Sequence, residues 1–148
     1  MNKKRVEKMM IQAMTLLNDE SRYTEMFTTQ NGPRKIHSRF NGYAASFGPS
    51  VIQAGLLQTL AFFCRADRDA EADAEGKDRK VVVHLMENAL ENAGYLDDGS
   101  YTGKTLFDKV RERIRLNSGE RTRLKSLVLE SSAACKLAMR TFPVEKEK

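Results

Sequence analysis

The chain has 148 residues, 41 % of them hydrophobic and 30 % charged. That is the size of one domain with one real core, and too apolar for a disordered chain. No apolar run reaches the ~18 residues of a membrane span, and the charged start MNKKRVEKMM lacks the apolar core and small-residue cleavage site of a signal peptide, so a cytoplasmic protein with no membrane contact is expected. Formal charge is +5, unevenly spread. Residues 66–78 hold six acids against two bases, a net of −4, which leaves +9 on the rest (23 bases, 14 acids). A basic body suits a polyanion partner. It also aids solubility, and composition does not separate these readings.

Residues 3–28 read as a long first helix. Val6, Met9, Met10, Ala13, Leu16 and Leu17 recur at three and four, and Asn18–Ser21 interrupts the stripe. The methionines read as flexible core fillers. Asn31-Gly32-Pro33 is turn chemistry. A second helix is expected from Arg34 to Phe47, with Ile36, Phe40, Tyr43 and Phe47 inward and Arg34, Lys35, His37 and Arg39 crowding its first half.

Gly48 to Arg65 is expected to be the central helix, Pro49–Cys64. Proline suits a first helical turn. Val51, Ile52, Gly55, Leu56, Thr59, Leu60, Phe62 and Phe63 fall on one broad arc, so other helices should cover it. Gly55 costs about 1 kcal/mol against alanine in a helix, and close approach of a neighbour is the expected compensation. Phe62 should then be a core side chain.

Residues 66–78, ADRDAEADAEGKD, hold nothing apolar larger than alanine and read as a mobile acidic insert or a helix extension. Their glycine and distal glutamate are not at calcium-loop spacing. Arg79–Ala93 reads as a fourth helix with Gly94 as its C-cap. Val81-Val82-Val83 could start a strand, but no partner strand is evident. Asp97-Asp98-Gly99-Ser100 reads as a turn. Thr105 caps a fifth helix, with Leu106, Phe107, Val110 and Ile114 inward. Asn117-Ser118-Gly119 ends it. A last helix runs from Glu120 to Arg140, and 143–148 reads as a frayed tail. The whole, 1–148, is expected to be all-α: a single compact bundle of five to seven helices.

No chemistry converges. His37 and His84 lack ligand partners at metal spacing, and neither a phosphate-cradling glycine loop nor a nucleophile elbow occurs. No catalytic residue, metal or cofactor is expected. Cys64 and Cys135 read as reduced thiols; a disulfide would require their helices to touch. Basic residues carry the better signal. Between Lys104 and Lys125 there are eight (Lys104, Lys109, Arg111, Arg113, Arg115, Arg121, Arg123, Lys125) against three acids. Arginine's planar fork suits phosphate, and a single strand can be tracked without reading bases. Candidate RNA contacts are Arg34, Lys35, Arg39, Arg111, Arg115 and Arg121; solvated helix faces are the plainer reading of the same charges.

Pro49, Ile52, Gly55, Leu56, Gln58, Thr59, Leu60, Ala61 and Phe62, in a small basic helical protein, resemble the small subunit of the type III-B (Cmr) CRISPR effector complex. The resemblance implies an all-α, non-catalytic subunit that lines the path of a target RNA in antiviral defence. It implies several copies stacked along the crRNA–target duplex. The neighbours it implies are a large polymerase-like subunit and repeat-containing backbone subunits, to which cleavage and signalling belong. Two other classes stay open: a protein–protein scaffold without RNA contact, its basic faces meeting acids such as 66–78 of another copy, and a small DNA-binding regulator with 106–116 as recognition helix.

Overall fold

A computed structural model describes residues 1–28, 32–64, 74–96 and 105–146. Six α-helices and one small sheet make up the described residues: α1 (Lys3–Asn18), α2 (Ser38–Ala54), α3 (Leu56–Cys64), α4 (Ala74–Asn92), α5 (Leu106–Leu116) and α6 (Glu120–Met139). The all-α bundle is thus as the periodicity predicted, with a sheet that it did not. Val81–Val83 are helical, within α4. Most of the acidic stretch lies outside the described residues; its end, 74–78, opens α4. The Asp97–Ser100 turn also lies outside them.

The sheet corrects three boundaries. The first helix stops at Asn18; a 3-10 turn (Thr24–Met26) and β1 (Phe27–Thr28) follow. Lys35–His37, expected as helix, form β2, and Val144–Glu145, expected to fray, form β3. β2 lies between its partners, antiparallel to β1 (Phe27 opposite Ile36) and parallel to β3 (Ile36 opposite Val144). The physical cause is Ile36. It is β-branched, fully buried, and its N–H donates to the Pro143 carbonyl at 2.8 Å. Tyr23 turns the chain with a left-handed φ of 54°, and its hydroxyl accepts a bond from Asn88 Nδ2 at 2.5 Å.

The centre of the bundle is α6, not the stretch 49–64. α6 packs against α1, α2, α4 and α5. It buries Leu124, Leu127, Val128, Ala134, Cys135, Ala138 and Met139, and also Glu130, Ser131 and Ser132. Two of the polar ones have partners on other helices. Ser131 Oγ donates to the Met86 carbonyl at 2.8 Å, and Glu130 takes Arg5 through Nε (3.0 Å to each oxygen) and Nη2 (2.5 Å). Arg5 ties α1 to the middle of α6. Arg34 reaches the Leu17 carbonyl at 2.5 Å and lies 6.0 Å from the Phe142 ring. Both ties advance twelve residues along each chain, so α1 and α6 run parallel.

Pro49 lies inside α2 rather than at a helix start. Gly48 before it has no Cβ to strike the proline ring, which removes part of the usual bar to helix at that position. The true break is Gly55, with φ 100° and ψ 161°, backbone that only glycine adopts readily. Its N–H closes α2 on Val51, and its carbonyl opens α3 by accepting from Thr59. The expected tight helix contact is absent. A Cβ there would meet only the end of the Gln58 side chain, at 2.7 Å. Gly55→Ala should therefore cost about 1–3 kcal/mol from backbone strain. Gly55→Leu should cost little more, since the extra atoms enter no packed site. Urea midpoints check this: a leucine variant far below the alanine variant would restore the packing explanation.

Candidate nucleic-acid interface

α5 starts on a full capping box. Thr105 Oγ1 accepts from Asp108 N at 3.3 Å, and Asp108 Oδ2 accepts from Thr105 N at 3.2 Å. Leu106, Val110 and Ile114 are buried and Phe107 half-buried; Arg111 and Arg115 are exposed and Arg113 half-buried. Asn117–Gly119 then turn the chain, Asn117 Oδ1 accepting from Gly119 N at 3.0 Å, and α6 begins. The result is an elbow. From Arg111 to Lys125 it holds six bases against two acids.

Not all of this charge is equally available. Arg111 reaches Asp108 at 3.4 Å, Arg115 is held by Glu112 through two bonds (2.6 and 3.1 Å), and Arg123 reaches Glu120 at 3.3 Å. Such exposed i,i+3 pairs are worth little and yield readily to a phosphate. Arg113, Arg121 and Lys125 make no ion pair among the described residues. Leu116 stands at the tip of the elbow, 66 % exposed.

The other candidates lie elsewhere. Arg34 is a structural group: besides its bond to Leu17, it stacks 3.9 Å from the Phe27 ring centroid. Lys35 pairs with Glu145 at 3.6 Å, and Arg39 Nε with Asp78 at 2.7 Å. Arg34 and Lys35 sit at the sheet, beside the C-terminal end of α6, whereas the elbow is at its N-terminal end. Twenty residues at ~1.5 Å each separate them by roughly 30 Å. The structure brings Arg111, Arg115 and Arg121 to one elbow and leaves Arg34, Lys35 and Arg39 apart from it.

Lys109 is a correction. The basic run places it at the surface, but it is only 6 % exposed. Its ammonium lies between the Glu87 and Glu91 carboxylates of α4. Burial pushes the Glu87 carboxyl above its ordinary range, and Lys109 offsets that only in part. The two carboxylates in turn hold Lys109 protonated. A signal for this was present: Lys109 follows Leu106 by three and adjoins Val110, at the rim of the apolar arc.

The remaining reactive groups are quiet. Cys64 and Cys135 are buried free thiols, pushed by burial up to about 11 and about 12. His84 lies 5.9 Å from the Tyr23 ring. Among the described residues no three His, Cys, Asp or Glu groups could hold a metal, and no helix is long and apolar enough to cross a membrane.

Comparison with known proteins decides the family. The profile described as CRISPR-associated protein (Cas_Cmr5) matches residues 8–136, from the first half of α1 to the last turn of α6. The chain belongs to the Cmr5 family. It is a small subunit of the Cmr, type III-B, class of CRISPR-associated complexes. No curated protein and no solved structure gave a significant match.

In this Cmr5-family chain the recognisable motif is not the core helix it was expected to be. Leu56 is buried, but Ile52 is 69 % and Phe62 47 % exposed. Phe62 lies beneath Arg79, whose guanidinium is 4.5 Å from the ring centroid. Gly55 makes the α2–α3 bend, six residues beyond Pro49, and Ile52 and Phe62 on either side of it reach solvent.

Proposed function

We propose that this chain is a non-catalytic, RNA-binding scaffold subunit of its complex. Copies stack along the crRNA–target duplex, and the α5–α6 elbow holds phosphates while base pairing supplies sequence. The observation that carries this reading is the elbow itself: six bases against two acids, with Arg113, Arg121 and Lys125 unengaged by any acid among the described residues. Phosphate contacts of this kind give affinity without sequence preference.

Membership in a complex also requires protein contacts. Ile52 and Phe62, exposed on both sides of the Gly55 bend, favour that bend as a face toward the large subunit, the backbone subunits or another copy. The two roles use different residues.

The test is target-RNA binding by the reconstituted complex carrying Arg121→Ala with Lys125→Ala. Each lost phosphate contact should flatten the slope of log K against log salt by ~0.7, about 1.4 for the pair. Melting temperature should hardly change, since both side chains are exposed. An unchanged affinity and slope would leave the elbow as solvated surface and favour the protein-only scaffold.

A further inference from the structure

We infer that Lys109 is the positioning residue of the basic elbow: its buried ammonium, shared by Glu87 and Glu91, fixes α5 on α4 in the one rotation that turns Arg111 and Arg115 outward. This inference rests on the reading of the elbow as an RNA contact.

α5 is a short helix. Its eleven residues are fewer than the ~12–15 that an isolated helix needs, so its orientation comes from what it packs on: α3 chiefly, with α6 and α4. Its buried apolar set is three side chains, Leu106, Val110 and Ile114. A narrow aliphatic stripe tolerates small rotations and slips, because apolar contact has no direction. A buried ion pair does not. Glu87 and Glu91 are one turn apart on α4, so their carboxylates define a single point on that helix. Only one α5 residue reaches it, and that residue is Lys109.

Rotation of α5 by one residue is 100°. It would carry Lys109 away from the site, strand two carboxylates and turn an arginine toward the core. Buried charges left unpaired are costly, so the cluster adds to the apolar stripe's own bar against such a rotation and also opposes the smaller slips that the stripe tolerates. Buried ionic groups are best attested in this role, as devices that fix register. The capping box holds only the first turn, at Thr105 and Asp108. Lys109 sits between that cap and the outward arginines, where a lock governs their direction.

Three full-length variants test this, with a single-stranded oligouridylate as probe and hydrogen exchange as the second readout. Glu87→Gln/Lys109→Met/Glu91→Gln removes all three charges together, so no buried charge is left unpaired and the fold is retained. Its α5 amides should lose protection while those of α6 keep theirs, and its salt slope should flatten by about 1.4, the loss of two phosphate contacts. Lys109→Arg, which keeps a cation at the site, should retain the parent's slope. Arg121→Ala/Lys125→Ala tests the elbow independently. If that pair weakens binding while the triple variant keeps full affinity and α5 protection, Lys109 is structural only and the inference falls. If the pair leaves binding unchanged, the elbow reading and the inference fall together.

Discussion

Lys109→Met should destabilise the protein by about 3–5 kcal/mol near neutral pH, the usual result of removing one partner from a buried ionic cluster. The methionine fills nearly the same volume, so packing is not the cause. The cause is that Glu87, 7 % exposed, and the half-buried Glu91 then face one another without a cation. The loss depends on pH, with a sign that can be worked out. In the parent, burial already holds the Glu87 carboxyl above its ordinary range. Without Lys109 it rises further. A carboxyl whose folded value lies above its unfolded value contributes stability while protonated, below the unfolded value, and loses it as pH rises through the folded value. The deficit of the variant should therefore be small well below the ordinary carboxylate range and grow as pH rises through and above it. Urea titrations at several pH values check this. A deficit that is constant with pH would assign the effect to lost contacts rather than to stranded charge.

The sequence was most legible where local chemistry decides the structure. Thr105 and Asp108 cap α5 at the expected residues. Gly94, at φ 85°, ends α4 with Tyr95 N on the Leu90 carbonyl and its own N–H on Glu91, the arrangement expected of a C-cap glycine. Asn117–Gly119 break the chain where expected. It was least legible where tertiary contact overrides local preference. The most apolar stretch, 49–64, reads as central because apolarity by itself suggests burial. Yet α6 is central while carrying Glu130, Ser131 and Ser132, since each of these small or paired groups finds a partner or a place inside. Pro49 looked like a helix start because proline favours that position, but Gly48 lets α2 continue through it. Gly55 looked like a packing glycine, and it is a conformational one. For the site, a count of bases along the chain could not separate Lys109, buried on α4, from Arg121, at the surface. Nor could it show that Arg34 completes the end of α1. Those distinctions are made by residues 17 and more positions away.

Phe47→Ala should cost about 3–5 kcal/mol, and Phe62→Ala much less, although Phe62 is the ring that periodicity placed in the core. Phe47 is fully buried on α2, and its ring meets Phe63 of α3 edge-on at 5.1 Å. The two rings bridge the bend at Gly55. Truncating Phe47 leaves a ring-sized cavity that this interior cannot close, because Phe40, Val51 and Leu60 are themselves fully or almost fully buried. Phe62 is half in water. Its truncation loses some apolar contact and the Arg79 cation–ring contact, which at a partly exposed site is worth about 0.5–1 kcal/mol. A deficit of about 1–2 kcal/mol is expected in all, with no cavity term. Urea midpoints at constant slope measure both. Equal losses would mean that Phe62 is covered in the folded chain, and the outward face beside Gly55 would then be closed to a partner. A large difference would leave Phe62 where a neighbouring subunit can reach it. Phe62→Ala should in that case fold normally and fail in assembly, which co-purification of the complex would read directly.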